Sequence, residues 1–432
     1  MTTVQILSIV VFAGAYVLIA TEWVPRVTAA LGGAGMMLLL RLTDGPTAFH
    51  SSDAGIDWNV IFLLLGMMII VGVVKRTGLF EYLAIRSAKL ARGKPYPLLA
   101  LLVVITAVAS AMLDNVTTVL LVAPVTFQVC GRLGLNPVPY LIAEVLASNI
   151  GGTATLIGDP PNIIVASRAG LSFNDFVLNL APFVVVLLVV FVAVCRWMFR
   201  DSFRGDPDRV AEVMELEERD AIRNRKLLVQ SLVVLALVLV GFTLHTVLGT
   251  EPSEVALLGA GLLVLISRVT TEDAIADVEW ETLVFFMGLF VMVGALVHTG
   301  VIEVLGRALT DVTGGHLLFA AMLLLVLSAL FSGVVDNIPF VATMAPLVQQ
   351  LVSAAGNTAQ AQALWWSLTL GSDLGGNMTA VGASANVVVL GLAARNGTRI
   401  SFWQFTRYGA VITVLSVALA APYVWLRYFA LA

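Results

Sequence analysis

The stretch Leu113-Asp114-Asn115-Val116-Thr117-Thr118 returns later in the chain as Val335-Asp336-Asn337-Ile338-Pro339. Each stretch lies between two apolar arms, and a carboxylate in the middle of a membrane span costs about 2.5–3.5 kcal/mol on insertion scales. We interpret the two stretches as the tips of re-entrant hairpins at residues 96–131 and 316–354. Asp114 and Asp336 also suit the cap of each second arm. Capping without a role in binding is the alternative interpretation.

A second pair of polar stretches follows the hairpins at residues 148–162 and 372–386. Both contain adjacent glycines, and the first also contains Pro160-Pro161, so neither stretch suits a continuous helix. Unwound carbonyls suit a cation, whereas half-helix N-termini suit an anion or an oxygen-rich solute. We predict broken helices at residues 138–169 and 361–395. Glycines that only permit close helix packing are the alternative.

The composition places the chain in a membrane. Hydrophobic residues make up 59% of the 432 residues and charged residues 12%, with a mean hydropathy of +0.96. These values exclude a water-soluble enzyme. A net charge of −4 gives no basic field for nucleic acid. No Gly-rich phosphate loop with Lys is present, which disfavours an ATP-driven enzyme, and no cofactor or catalytic residue is expected.

The chain contains an internal repeat. Over about a hundred residues the second half repeats the first, initially at an offset of 222 residues, and then at 224. An internal repeat in a membrane chain is typical of secondary transporters. The clearest identities at the first offset join Trp58, Gly66, Gly72, Thr77, Gly78, Glu81, Asp114, Asn115 and Pro124 to Trp280, Gly288, Gly294, Thr299, Gly300, Glu303, Asp336, Asn337 and Pro346.

Hydropathy and charge together predict the topology. Eight plain crossings are expected near residues 4–20, 27–42, 58–75, 176–199, 227–248, 254–267, 281–298 and 405–428. With one broken helix added, each half has five crossings, and an odd number inverts the second half. The predicted units are a first repeat at 1–199, a cytoplasmic linker at 200–226 and a second repeat at 227–432.

Placing the linker in the cytoplasm puts 20 of the 24 Lys and Arg residues inside, as the positive-inside rule requires. Both termini then lie outside a multi-pass protein of the cell's inner (plasma) membrane. An aromatic belt at the membrane interfaces is expected from tryptophans near the predicted span ends. These are Trp365, Trp366, Trp403 and Trp425.

Several of these motifs resemble a known family. Residues 109–124, Ala143-Glu144, residues 149–152 and residues 158–162 are similar to the arsenite permease and sodium/proton antiporter family of the ion transporter superfamily, closest to its P-protein branch. The resemblance covers essentially the whole chain. It implies an all-α protein with a scaffold and a transport domain, a homodimer and elevator-like movement. It also implies, as for some arsenite permeases, a soluble ATPase partner.

The resemblance also implies site residues. One half of the site would be Asn115, Thr117, Thr118, Gly152, Thr153, Asp159 and Asn162, and the other Asn337, Thr379, Gly382, Ser384 and Asn386. Asn149 and Asn377 complete the polar set of the two broken helices. Asp114, Asp159, Asp336 and Asp373 are the candidates for proton exchange or sodium ligation. No other metal site is expected, because no Cys or His pair has ligand spacing.

The hairpin tips depart from those of dicarboxylate-carrying relatives, which have Ser-Asn-Thr tips. Aspartates at both tips repel a di- or tricarboxylate unless protons or sodium neutralise it. We therefore predict efflux of a small inorganic solute, arsenite or antimonite, coupled to protons or sodium. The alternatives are a sodium/proton antiporter, a P-protein-like anion transporter or channel, and a transporter of a small organic anion.

Overall fold

The computed structural model describes residues 1–21, 23–203, 214 and 218–431, and this part of the chain is helical without a strand. Twenty α-helices are numbered here, ten in each half. The first half contains α1 (Thr3–Thr21), α2 (Arg26–Leu39), α3 (Gly45–His50), α4 (Trp58–Lys75), α5 (Leu79–Leu90), α6 (Pro95–Met112), α7 (Asn115–Leu133), α8 (Val138–Gly152), α9 (Pro160–Ala169) and α10 (Phe173–Met198). The second contains α11 (Arg225–Leu248), α12 (Pro252–Ser267), α13 (Thr271–Ala276), α14 (Trp280–His298), α15 (Val301–Thr313), α16 (Leu317–Ser332), α17 (Asn337–Ala354), α18 (Ala359–Gly375), α19 (Ser384–Arg395) and α20 (Phe402–Trp425).

Among the described helices, eight are long and apolar enough to cross a membrane. They are α1, α4, α6, α7, α10, α11, α14 and α20, the last extended to Ala430. Shorter apolar helices, among them α2, α12 and α16, accompany them. The protein is therefore a multi-pass membrane protein, because so many apolar helices exceed what a soluble core of this length buries.

Helices in corresponding positions of the two halves make corresponding contacts. α6 packs on α8 as α16 packs on α18, and α5 packs on α7 as α15 packs on α17. Helices of one half also pack on helices of the other half in equivalent pairs. α2 packs on α14 and α4 on α12; α7 packs on α19 and α9 on α17. Each half therefore completes the packing of the other.

Glycines set the closest of these helix crossings. A Cβ atom at Gly66 of α4 would lie 2.7 Å from the backbone of Ala256 in α12, and one at Gly288 of α14 would lie 2.9 Å from the backbone of Ala30 in α2. These distances are far below a van der Waals contact. The repeated glycines thus allow backbones from opposite halves to touch.

Gly151→Ala is expected to destabilise the protein. The added methyl group would stand 2.2 Å from the Ala107 carbonyl oxygen of α6, which is backbone and does not yield as a flexible side chain does. Overpacking of this kind costs roughly 1–3 kcal/mol. Thermal unfolding of the detergent-purified protein measures the effect. Gly131→Ala is the matched control, because its methyl group meets nothing within 4 Å, and an equal fall in both variants would contradict the prediction.

The end of the linker packs against the amphipathic helix α5. Glu218 forms an ion pair with Lys89 at 2.6 Å, and Arg223 forms one with Glu81 at 2.8 Å. The backbone N–H of Arg223 also donates to the Thr77 carbonyl at 3.0 Å. The linker was predicted at 200–226, and residues 204–213 and 215–217 of it lie outside the described part. The described end places linker and α5 on one side of the protein.

The expected aromatic belt is wrong for two of its four tryptophans. Trp365 and Trp366 are 1% and 2% exposed, and Trp366 packs edge-on against Phe176 of α10. Both lie in α18, which is buried without interruption from Ala363 to Gly375. A tryptophan near the end of an apolar stretch therefore need not lie at the membrane interface, because the helix that carries it can be buried inside the protein. Trp403 and Trp425 are exposed.

Candidate functional site

Each hairpin turns within two or four residues, and an aspartate caps its second arm. Asp114 accepts a hydrogen bond from the Thr117 N–H at 2.7 Å at the start of α7. Asp336 accepts one from the Ile338 N–H at 3.2 Å at the start of α17. A carboxylate at this position satisfies a free backbone donor and complements the positive end of the helix. The predicted capping role of both aspartates is therefore present in the structure.

In each broken pair the first helix ends at a glycine, and the second begins after seven residues in the first half and eight in the second. Asn162 donates to the carbonyl oxygens of Gly152 and Thr155 at 3.2 and 2.9 Å. Asn386 donates in the same way to Gly376 and Thr379, both at 2.8 Å. These bonds satisfy carbonyls that the ended helices leave without intrahelical partners. In both halves, therefore, an asparagine of the second helix holds the loop of the broken helix in place.

The breaks are tied to the hairpins by threonines in equivalent positions. Thr155 Oγ1 donates to the Ala111 carbonyl at 2.5 Å, and Thr379 Oγ1 donates to the Gly333 carbonyl at 2.6 Å. Glycines allow the loops to close, since a Cβ at Gly158 would lie 2.5 Å from the Gly152 oxygen and one at Gly382 would lie 2.8 Å from the Gly376 oxygen. Each hairpin and its break thus form one unit.

Asn149 joins the two units at the centre of the molecule. Its Nδ2 donates to Asn377 Oδ1 at 2.9 Å and to Asn386 Oδ1 at 3.1 Å, both in the other half. Its Oδ1 accepts from Asn115 Nδ2 at 3.2 Å. All four amides are buried. We call these four residues the polar centre. A second link between the halves is Asn337 Nδ2, which donates to Asp159 Oδ2 at 3.2 Å.

Two buried carboxylates next to the polar centre leave acceptor atoms unused. Asp159 is 1% exposed and Asp373 is fully buried, and no described basic side chain pairs with either. Asp159 Oδ1, Asp373 Oδ2 and Asn162 Oδ1 have no described hydrogen-bond partner. The Asn377 amide nitrogen is also unpaired. Buried polar atoms without partners are costly, so this arrangement suits a bound cation, protons or a solute that supplies donors.

A cavity of about 590 Å³ reaches this region. Its acidic and polar lining consists of Asp114, Asn115, Asp159, Glu279, Glu281 and Asn337. A neighbouring cavity of about 500 Å³ shares Glu281 and Ser384 with it and is bordered by Arg26. Glu279 precedes α14, and burial, reinforced by the charge of Asp114, raises its pKa to about 7. The charged residues lining the first cavity are therefore all acidic, and most of its other lining residues are apolar.

Arg26 is the basic residue at the edge of the cavity. Its Nη1 lies 2.7 Å from Asp336 Oδ2 and donates to Ser384 Oγ at 3.0 Å. Ser384 Oγ also donates to Asp336 Oδ2 at 2.6 Å. Asp336 is 6% exposed and Arg26 27% exposed. The start of α2 is thus fastened to the second hairpin tip and to the start of α19, whereas Asp114 has no described ion pair.

The structure brings most of the predicted residues together. Asp114 and Ser384 lie on the cavity, Asp336 lies at its edge, and Thr117 lines a side recess with Lys75 and Glu279. Thr118 is fully buried without a described partner for its hydroxyl. The buried interior contains Asn115, Asn149, Gly152, Thr153, Asp159, Asn162, Asn337, Asp373, Asn377, Thr379, Gly382 and Asn386.

Sequence reasoning missed three residues of this region. Arg26 is one of the 20 basic residues predicted to lie inside, Glu281 begins the crossing predicted at 281–298, and Glu279 precedes it, but none of the three was predicted as a site residue. In the structure all three border the cavities. A signal for Glu279 was present, because the repeat pairs it with Asp57 immediately before a matched tryptophan. No signal in the sequence joined Arg26 to the hairpin tip.

Comparison with known proteins identifies the family. Residues 16–371 match the family described as citrate transporter. The chain belongs to the citrate transporter family. An uncharacterized transporter of Mycobacterium tuberculosis is 56% identical over 427 residues, which cover 99% of both chains. The 46 kDa membrane protein of Mycobacterium leprae is 55% identical and covers 98% of this chain and 99% of its own length.

This citrate transporter family member is also homologous to the P proteins. The human P protein is 33% identical, and the match covers 96% of this chain and 59% of the P protein, so the chain spans about three fifths of that relative. The predicted likeness to the P-protein branch is confirmed. The arsenite permease and antiporter assignment stays a prediction. A solved structure, the YdaH transporter of Alcanivorax borkumensis, shares the fold, with a TM-score of 0.64, 14% identity and 98% of both chains covered.

Proposed function

We propose that this protein is a cation-coupled secondary transporter whose solute binds at the polar centre. The observation that carries the proposal is the convergence of the first hairpin tip and both broken helices on Asn149. The second hairpin tip joins them through the bond from Asn337 to Asp159. The polar groups there are shared between the halves, and Asn115 of the polar centre lines the cavity. Coupling ions, protons or sodium, would satisfy the unpaired oxygens of Asp159 and Asp373.

The acidic lining guides the choice of solute. A free tricarboxylate entering the cavity would meet Asp114, Glu279 and Glu281, and each of these groups repels it when ionised. Arsenite and antimonite are neutral hydroxides near neutral pH, and amide and hydroxyl groups can hydrogen-bond them. We therefore propose efflux of arsenite or antimonite as the first activity to test. The family description favours a small organic anion as the rival solute, with its charge neutralised by the coupling cations.

The exchange of helix partners between the halves supports an inverted repeat. α2 with α14 mirrors α4 with α12, as expected for two units related by a two-fold axis. In our proposal the hairpins and broken helices form a transport domain, and α1–α5 with α11–α15 form the scaffold against which it moves. A homodimer of such protomers in the inner membrane, with or without a soluble ATPase, is part of the same proposal.

Proteoliposomes test the proposed transport. An imposed proton or sodium gradient is expected to drive arsenite movement, and Asp159→Asn is expected to reduce it at least tenfold, because the variant removes a charge from the centre and keeps its shape. Asp201→Asn is the control, since that side chain is 88% exposed. Arsenite movement that ignores every imposed gradient would overturn the coupling, and absence of movement would reject arsenite as the solute.

Sodium/proton antiport is the second candidate, favoured by the excess of buried acceptors at Asp159, Asp373 and Asn162. It predicts that sodium alone collapses a proton gradient across the vesicle membrane, without any added solute. The same vesicles with arsenite but without sodium separate the two functions. A P-protein-like anion conductance would instead be revealed by chloride flux that needs no counter-ion, and the acidic cavity is unfavourable for it.

Cysteine labelling tests the orientation. The two native cysteines, Cys130 and Cys195, are both buried, so background labelling in intact cells is expected to be low. A membrane-impermeant thiol reagent is expected to label Glu303→Cys, on the predicted outer side, and to spare Asp201→Cys until the cells are opened. Both acidic side chains are more than half exposed. Labelling of Asp201→Cys in intact cells would reverse the proposed orientation.

A further inference from the structure

Glu144 is a buried carboxyl group that the proposed solute site does not use. It lies on α8, six residues from the start of that helix and five before Asn149. At 1.5 Å per residue these separations are about 9 Å and about 7.5 Å along the axis. The side chain is 1% exposed. Glu144 therefore lies between one end of the helix and the polar centre, and it contacts neither the cavity nor the broken loops.

The surroundings of Glu144 offer one hydrogen bond and no counter-charge. Thr126 Oγ1 of α7 donates to Glu144 Oε1 at 2.5 Å, and Oε2 has no described partner. The titratable groups that face it are the Cys130 thiol from α7 and the Tyr140 phenol from α8 itself. The phenol already donates to the Pro95 carbonyl.

The other helices packed on α8 are α6, α10, α18, α19 and α20. Among their described residues, none directs a charged group at the Glu144 carboxyl. An ionised carboxylate enclosed in this way would lack both water and a cation, which is very unfavourable. The group is therefore expected to be the neutral acid in this conformation, with its proton on the side of the unpartnered oxygen.

The fold does not need a carboxyl group at this place. The repeat pairs Glu144 with Leu368 and Thr126 with Val348, both apolar and fully buried. The second half thus builds the same helix pair, α17 on α18, without polar atoms there. Burying a carboxyl group is unfavourable, and only the first half has one at this place. Glu144 is therefore expected to have a functional role besides packing.

We propose that Glu144 is a proton-binding site, separate from the polar centre, that takes up and releases one proton during the transport cycle. Uptake converts the carboxylate to the acid with a proton from water, release returns that proton to water, and no other bond changes. Because Glu144 and Asn149 share one helix, a movement of α8 carries the proton and the solute contacts together. The existence of the site rests on its own geometry, and only its purpose rests on the proposed transport.

Infrared spectra of the whole protein in lipid nanodiscs test the site directly. Wild type is expected to have a protonated-carboxyl C=O band that loses intensity as the pH is raised, because the acid ionises when its proton is released to water. Glu144→Gln keeps the shape and is expected to lose the part of the band that comes from Glu144, while any contribution of Asp159 and Asp373 remains. Thr126→Val removes the hydrogen bond and is expected to shift the band. Glu303→Gln, at an exposed carboxyl, is the control and is expected to leave it unchanged.

Two results would overturn the proposal. One is a carboxyl band that is the same in wild type and Glu144→Gln; the other is a band that does not change with pH, which indicates a permanently protonated structural acid. If Glu144→Gln does not fold, Thr126→Val decides, and an unshifted band rejects the site. A titrating band in a protein that moves no solute in vesicles would retain the proton site and overturn the proposed function alone.

Discussion

Asn149→Ala is expected to give the largest loss of transport of any single substitution in the protein. The amide makes three buried hydrogen bonds, to Asn115, Asn377 and Asn386. Each partner atom that is left buried and unpaired costs about 1–3 kcal/mol. If the solute-binding state is destabilised by one such cost, the transport rate is expected to fall roughly 5- to 150-fold. Because the contacts cross between the halves, both half-sites are affected at once.

The measurement combines transport in proteoliposomes with thermal unfolding of the purified protein. Asn396→Ala is the matched control, since Asn396 is exposed just after α19 and the one described partner of its side-chain amide is the Leu392 carbonyl one turn back. It is expected to retain wild-type transport. Near-normal transport by a folded Asn149→Ala protein would mean that the solute binds elsewhere, and the role given to the polar centre would be wrong.

Arg26→Ala is expected to change the accessibility of the cavity. In wild type Arg26 fastens the buried Asp336 to the start of α2, with Ser384 as a shared partner. Removing one partner of a buried ion pair costs about 3–5 kcal/mol, whereas exposed pairs contribute about 0–1 kcal/mol. Arg26 is about a quarter exposed, so we expect an intermediate loss. Because the ion pair stabilises the conformation described here, its removal is expected to lower the population of that conformation.

A cysteine at Glu281, which borders both cavities, reports the change as its rate of thiol labelling. Labelling is expected to slow several-fold when Arg26→Ala is added. Arg76→Ala is the control, because its ion pair with Asp277, at 2.9 Å, lies within the proposed scaffold. Adding Asp336→Asn to Arg26→Ala removes the unpaired charge and is expected to recover thermal stability. Unchanged labelling in Arg26→Ala would show that the ion pair does not hold this conformation.

Hydropathy and backbone chemistry were sufficient for much of the helical order. Apolar runs near 58–75 and 281–298 were predicted as crossings, and the structure has α4 and α14 there. Adjacent glycines at 151–152 and 375–376 fall where α8 and α18 end. These features are local, because a helix needs a continuous apolar stretch and glycine weakens it wherever it stands.

Local sequence patterns could not predict the contacts between distant parts of the chain. Nothing in the residues near Arg26 specifies a partner 310 positions away, and the enclosure of Trp365 depends on helices from both halves. The pairing of Asn149 with Asn377 likewise requires both breaks to be folded first. The repeat predicted that equivalent polar groups exist, but it did not predict which of them meet across the halves.

The exchange of helix partners has a consequence for biosynthesis. Because α2 lies on α14 and α4 lies on α12, the first half inserts into the bilayer before the surfaces that complete it have been translated. At about 5–20 residues per second, the ribosome needs roughly 10–40 s to supply the remaining two hundred residues. During that interval Asn149 and its neighbours have no partners from the second half. Insertion factors that shield polar helices are therefore expected to matter most for the newly made first half.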